Sequence, residues 1–344
     1  MRAIVQSKFG SPSEVLRMAD VPRPSIKEDE VLVRVRATCV HADLWHSVTG
    51  LPYSWRFMLG WRAPRHPVPG TDIAGIVEAV GGKVTRFRVG DEVFGATTRG
   101  FSIGNWGAFA EYATAPEESL ASKPANVTFE QAASVPASGY IAFSNLIGMS
   151  ASMAGQKVLI NGAGGGVGTI ALQMLKARGA HVTVVDAGPK LDVLRSLGAD
   201  EAVDYTKTDF MQRSLRQGTQ YDLLLDVASN LSLRECRRAL KPAGLFIWIG
   251  HEHYGRAQGG RFLGSGFPQI FRLMTKSLIG DPNLPKMKFP VVVPKLSEAL
   301  AAMRNLMAEG KLVPYVEAYP LESFAGAFRH MESGEVRGKV VLVI

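Results

Sequence analysis

Residues 157–168 read Lys157-Val158-Leu159-Ile160-Asn161-Gly162-Ala163-Gly164-Gly165-Gly166-Val167-Gly168. A short apolar run of strand character enters a turn in which five of seven residues are glycine, and helical periodicity then runs from about Val167 to Arg178. Glycine lets the backbone turn tightly and lets an anion approach a helix N-terminus, where unpaired N–H groups and the helix dipole favour negative charge. The strict G-x-G-x-x-G spacing is not met: the best register is Ala163, Gly165 and Gly168, with alanine in the first place. The weight comes from context, a buried strand before the loop, a helix after it and a second strand ending in Asp186. The bland alternative is a tight strand-to-helix turn that holds no ligand. No Walker lysine follows the glycines, which argues against a nucleotide triphosphatase.

Strands and helices alternate on both sides of this loop. His181–Val185, Ala202–Asp204, Tyr221–Asp226 and Leu245–Ile249 read as strands, and Leu191–Leu197, Asp209–Gln217 and Leu231–Leu240 as helices. That alternation predicts a doubly wound parallel sheet. The first third reads as β instead, with short apolar runs at Arg2–Lys8, Val31–Val40, Ile73–Val80, Asp91–Gly95 and Phe109–Ala115. Two amphipathic helices, Leu296–Glu309 and Leu321–Met331, precede a final strand, Lys339–Ile344, that has no obvious partner in the central sheet. A β-rich start and a strand-ending tail fit one domain with the α/β unit inserted between them.

Length and composition set outer limits. At 344 residues the chain has room for about two domains. Apolar residues at 46% and charged residues at 20% exclude a disordered or fibrous chain. Cys39 and Cys236, the two cysteines, exclude a disulfide scaffold and a four-cysteine zinc site. Gln6, Ser7 and Lys8 stand where a signal peptide needs its apolar stretch, and no apolar run approaches the ~18 residues of a membrane span. The expectation is a cytoplasmic protein without stable membrane insertion. Thirty-nine Lys and Arg against 31 Asp and Glu leave a net charge of +8, which favours anionic partners. Basic clusters at Arg234–Lys241 and Arg256–Lys276 lack the basic-aromatic interleaving of a nucleic-acid platform, so no nucleic acid is expected. Gly100-Phe101-Ser102-Ile103-Gly104 matches the hydrolase G-x-S-x-G letters, but a loop precedes it and a strand follows, the wrong context for a nucleophile elbow.

For a dinucleotide, the candidate contacts are Gly164, Gly165, Gly166 and Val167 in the loop. Asp186 lies where an acidic residue meets the adenosine ribose, which favours NAD(H). Lys190 and Tyr205 argue for NADP(H), as a cation for a 2′-phosphate and an aromatic for adenine. Asp226 and Gly250 end strands at the carboxyl edge of the sheet, Gly250 acting through its backbone.

The chain resembles the medium-chain dehydrogenase/reductase superfamily, and within it the zinc-independent quinone oxidoreductase branch. Pro69-Gly70-Thr71-Asp72-Ile73-Ala74-Gly75-Ile76-Val77, Val89-Gly90-Asp91-Glu92-Val93 and Gly107-Ala108-Phe109-Ala110-Glu111-Tyr112 carry the likeness. So do Lys123-Pro124-Ala125-Asn126, Leu197-Gly198-Ala199-Asp200, the glycine loop and the closing Gly338-Lys339-Val340-Val341. The resemblance implies a GroES-like catalytic domain, residues 1–124 and 291–344, with a Rossmann domain, residues 125–290, inserted into it. It also implies a nicotinamide held between the domains, a small-molecule substrate and a homodimer.

Zinc alcohol dehydrogenases use a Cys, a His and a second Cys or Asp for catalytic zinc; here His41 and Thr71 stand in the first two places. His41, Asp43 and His46, or His251 and His253, are the remaining metal-ligating sets, but three ligands from one short helix rarely converge on one ion. No metal site is therefore expected. His41 is either a buried structural histidine or a hydrogen-bond donor to substrate oxygen, and Asp43 either caps the following helix or orients His41. Tyr53, in the aromatic and arginine-bearing stretch Leu51–Arg65, is the second candidate donor. Without a Lewis acid, hydride transfer to a quinone or enone needs only hydrogen-bond donors and a proton. The alternatives are an alcohol dehydrogenase and an NAD(P)H-binding sensor or structural relative.

Overall fold

Lys157–Asn161 is the central strand of a five-stranded parallel sheet in the computed structural model of the chain. The structure describes residues 1–99, 106–249, 271, 275, 285–287 and 293–344. The strand order is Glu201–Asp204, His181–Asp186, Lys157–Asn161, Tyr221–Asp226, Leu240–Trp248. Order therefore reverses beside the glycine loop, the switch point at which ligands bind in sheets of this kind. The inner strands are continuous apolar runs because both faces are covered: Val158, Leu159, Ile160, Leu223, Leu224 and Leu225 are all buried. Leu240–Trp248 starts five residues before the expected strand and contains Pro242. Its place at the end of this strand order accommodates a residue without an N–H.

The chain divides into two compact units, residues 1–140 with 294–344, and residues 141–293. The first unit runs past the boundary expected at residue 124 because the chain beyond it stays tied to that unit. Thr128 and Gln131 form a capping box at the start of the helix Phe129–Ala133, whose Ala132 and Ala133 are fully buried. Asn126 donates to the Met307 carbonyl, and the Tyr140 hydroxyl donates to that of Pro294.

The first unit is built on a sheet of order Val316–Pro320, Lys339–Val343, Glu30–Val40, Asp72–Val80, Glu92–Ala96, Leu120–Ser122, with Tyr112–Pro116 also pairing Glu30–Val40. The final strand thus finds its partners here: Val340 lies opposite Val40 and Val343 opposite Ala37 in antiparallel register. The expected strand Phe109–Ala115 begins instead at Tyr112. Residues before it serve a different partner, as the Phe109 carbonyl accepts from Ile4 N–H and Ala110 bridges Ala3. Arg2–Gln6 itself pairs with Leu16–Asp20 in a separate two-stranded sheet.

Because Leu342 is completely buried, Leu342→Ala is expected to lower stability by roughly 2–5 kcal/mol in a denaturant titration. A loss of a few tenths would show that the terminal strand is not part of the core.

Candidate functional site

The α/β unit shapes its loop with carboxylates. The first intrahelical bond of Gly166–Lys176 runs from Thr169 N–H to the Gly165 carbonyl, so the N–H groups of Gly166, Val167 and Gly168 have no acceptor within the helix. Gly168 packs so closely on the strand end that a Cβ there would stand 2.5 Å from the Ala163 carbonyl oxygen. A Cβ at Gly165 would meet nothing within 4 Å, so the loop is open on that side. Gly165, Gly166 and Val167 are partly exposed, whereas Gly164 is buried and its N–H donates to Asp186 Oδ2 at 2.7 Å. The sequence placed all four together as ligand contacts; the structure separates Gly164, whose donor is already engaged.

Asp186 and Lys190, opposed as predictors of cofactor choice, are ion-paired with each other. Lys190 Nζ lies 3.5 Å from Asp186 Oδ1, which also accepts from Ala187 N–H. One carboxylate oxygen thus serves the glycine loop and the other the turn after its own strand, and the carboxylate's charge is offset by the ammonium. The Tyr205 ring is 56% exposed, while its N–H donates to the Asp186 carbonyl.

Asp226 is fully buried. Its carboxylate accepts from Asn161 Nδ2 at 2.7 Å, across the switch point, and from the N–H groups of Ser229 and Leu231. Burial raises its pKa despite these bonds. It therefore holds the loop in shape rather than presenting an oxygen outward. Nearby at the carboxyl edge, the buried Ser229 Oγ and Trp248 Nε1 lack hydrogen-bond partners among the described residues. An open phosphate loop and two orphaned polar atoms at the same sheet edge fit a dinucleotide. Gly250 lies outside the described residues, as do Gly100–Gly104, His251 and His253.

The other unit holds a second constellation. His41 is the residue before the helix Ala42–Thr49 and is 5% exposed. Its Nε2 is 2.9 Å from Thr71 Oγ1, whose hydroxyl donates to Asp72 Oδ1 at 2.9 Å. Asp72 Oδ2 in turn accepts from Ala137 N–H at 2.9 Å. Gly70, with φ +91°, makes the turn that delivers Thr71 and Asp72 to this place. Lys339, buried in the final strand, adds a positive charge felt by His41, Asp43 and Asp72. Burial, then Lys339 and His46, push the His41 pKa down to about 3, so the imidazole is neutral. Burial pushes Asp72 up to about 6 and also raises Asp43.

Asp43 Oδ2 stands 3.8 Å from His41 Nδ1, too far for a hydrogen bond. Nor does it cap the helix, because it lies inside the first turn and His41 occupies the N-cap. Thr71 orients His41, a role that its sequence position, merely unsuited to a zinc ligand, does not reveal. Thr71, Asp72 and Lys339 all lie in stretches quoted for the family likeness, which was the available signal. Tyr53 begins the turn Tyr53–Trp55, with the Arg56 guanidinium 4.7 Å from its ring centroid. His46 anchors this stretch by donating Nδ1–H to the Leu51 carbonyl and by packing on Trp55, the ring centroids 4.3 Å apart. Beyond it Phe57, Met58 and Trp61 are exposed.

Residues 27–125 match the alcohol dehydrogenase GroES-like domain and residues 197–342 the zinc-binding dehydrogenase family. The NADPH-dependent alkenal/one oxidoreductase of Arabidopsis thaliana chloroplasts is 30% identical over 99% of this chain and 79% of its own length. The quinone oxidoreductase of Lama guanicoe is 30% identical over 100% of this chain and 98% of its own. The chain belongs to the medium-chain dehydrogenase/reductase superfamily, in its quinone oxidoreductase-like branch. The Escherichia coli quinone oxidoreductase, solved in complex with NADPH, shares the superfamily fold with a TM-score of 0.77 at 23% identity, covering 100% of both chains.

Among the described residues, those in the zinc-ligand places do not suit the zinc of the matched family's name. Thr71 supplies a hydroxyl bonded to His41 where a ligand would stand. The buried Cys39 thiol is pushed up to about 12 and donates to the Val340 carbonyl. Among the described residues no three His, Cys, Asp or Glu side chains gather so as to hold a metal.

The opposed shifts of His41 and Asp72 give opposite pH signatures. The unfolded chain protonates His41 near 6.5 and the folded one near 3, so wild type gains stability over His41→Gln as pH rises between these values. Asp72 moves from 3.8 to about 6, so wild type loses stability relative to Asp72→Asn as pH rises across that range. Each slope approaches about 1.4 kcal/mol per pH unit in denaturant titrations. Parallel profiles for wild type and both variants would contradict the assignment.

Proposed function

We propose that the protein is a metal-independent, NADPH-dependent reductase of quinones or enones. The observation that carries this reading is the set around His41: a neutral imidazole on a hydroxyl and a carboxylate, in place of thiolate ligands. Bound nucleotide supplies a hydride, and addition to a conjugated carbon leaves an enolate whose charge is already delocalised. The protein's task is then to donate hydrogen bonds to that oxyanion and to furnish one proton. His41 is assigned to the proton and Tyr53 to the substrate oxygen.

In this reading the N–H groups of Gly166, Val167 and Gly168 face the pyrophosphate. Asp186, already bonded to Gly164 and neutralised by Lys190, no longer repels a 2′-phosphate, which favours NADPH over NADH. Lys190 meets that phosphate and the exposed Tyr205 ring stacks on adenine. The protein acts as a cytoplasmic homodimer on a small-molecule substrate; two buried, unpaired cysteines accord with a reducing compartment.

Purified protein incubated with a metal chelator is expected to oxidise NADPH with members of a quinone and enone panel at an undiminished rate. Lys190→Ala should raise the KM for NADPH roughly tenfold or more, with a much smaller effect on that for NADH. Loss of activity with the chelator would overturn the metal-free mechanism. Tight NADPH binding without turnover of any acceptor would identify a sensor instead.

A further inference from the structure

The bonds around His41 decide which of its nitrogens carries the proton. Thr71 has one hydroxyl hydrogen and gives it to Asp72 Oδ1, so the bond between Thr71 Oγ1 and His41 Nε2 must be donated by the imidazole N–H. Nδ1 then holds a bare lone pair, buried and without a partner among the described residues. It is an acceptor, whereas protonating an enolate requires a donor.

Resting on the reductase reading above, we propose that Thr71 and Asp72 are positioning residues that set the proton polarity of His41. Nδ1 accepts while Asp72 is ionised and donates once Asp72 is protonated. Ala137 N–H holds Asp72 Oδ2, so an added proton goes to Oδ1, the oxygen aimed at Thr71. The carboxyl O–H then donates to Thr71 Oγ1, the Thr71 hydroxyl turns to donate to His41 Nε2, and the imidazole proton sits on Nδ1.

Discharge runs the array the other way. The Nδ1 proton passes to the substrate enolate, Nε2 takes the Thr71 proton, and Thr71 takes the Asp72 proton. Three bonds to hydrogen break and three form, no electrons change hands, and Asp72 is left ionised. Solvent restores the proton at Nδ1, where the partly exposed Asp43 stands 3.8 Å away, and the shifts reverse. The charged groups facing the array come from its surrounding elements. Lys339 on the final strand disfavours protonation of His41 and Asp72, and Asp43 on the following helix favours that of Asp72. His46 opposes protonation of His41. The Asp72 value of about 6 places the exchange within the working range of an enzyme.

The test is nitrogen-15 NMR of the full-length protein labelled at its seven histidines, with His41 assigned by its loss in His41→Gln. At pH 8 the bare nitrogen of His41 is expected to be Nδ1. Below about pH 6 the bare nitrogen should become Nε2, with the ring neutral throughout. Asp72→Asn should lock the Nδ1–H form at pH 8, because the Asn oxygen takes Ala137 N–H and its amide donates to Thr71. Thr71→Val should abolish the exchange and Thr71→Ser restore it.

In turnover with an enone, kcat is expected to fall about tenfold per pH unit above the Asp72 pKa. Thr71→Val should remove that limb and lower kcat roughly a hundredfold with the nucleotide KM unchanged, and Thr71→Ser should recover both. A His41 that stays Nε2–H from pH 8 to 5, or that becomes an imidazolium near neutrality, overturns the proposal. So does a Thr71→Val variant with the wild-type pH profile. The tautomer readout needs no substrate: exchange without turnover of any quinone or enone overturns the reductase reading and leaves the switch standing.

Discussion

Pairing between the chain's final strand and residues 37–40 is the constraint on which the rest of the first unit depends. A parallel partner, Val316–Pro320, lies on the strand's other edge, so Val340–Val343 are paired on both sides. The pairing joins chain ends some 300 residues apart, which requires the α/β unit to be an insertion. It also carries Lys339 into the interior, where the ammonium faces His41, Asp43 and Asp72. Burial keeps His41 neutral and raises the Asp72 carboxylate to about 6, and the Lys339 charge reinforces the first shift while opposing the second.

The two units treat polar groups in opposite ways. In the α/β unit Asp186 and Asp226 direct their oxygens at backbone N–H groups of the loops they support, leaving the loop's own N–H groups outward at Gly166 and Val167. Those carboxylates are scaffold, and the surface they shape is recognised through backbone. Around His41 the polar chain runs from side chain to side chain, so protons can shift along it without the backbone moving. In the proposed function one unit binds an anion and the other holds and moves a proton, the two demands of metal-free reduction of a conjugated carbonyl.

Much of the fold was legible because buried parallel strands leave an unbroken apolar signature. Lys157–Asn161 and Tyr221–Asp226 begin and end where the sequence pattern placed them. Strands Leu16–Asp20 and Val316–Pro320 were not legible, since most of their residues are half-exposed or exposed and neither has an apolar run. Leu120–Ser122 has three residues, too few to show alternation. The expected strand began only at Leu245, whereas the observed one runs from Leu240 through Pro242 at the end of the sheet order.

At the site, residue types were readable and partnerships were not. Asp186 and Lys190 looked like rivals because the sequence shows two charges of opposite sign near one expected ligand; in the fold they neutralise each other. His41 was visible, but its partner Thr71 lies 30 residues away and is chemically ordinary. Which imidazole nitrogen bears a proton depends on three hydrogen bonds that only the folded chain assembles. The most direct test of the account is the fate of deuterium from C4-labelled NADPH, followed by mass spectrometry and NMR of the product from a chelator-treated enone reaction. Conjugate reduction places deuterium on the conjugated carbon, with the neighbouring carbon's new hydrogen drawn from solvent; deuterium on the carbonyl carbon, or in no product, would contradict it.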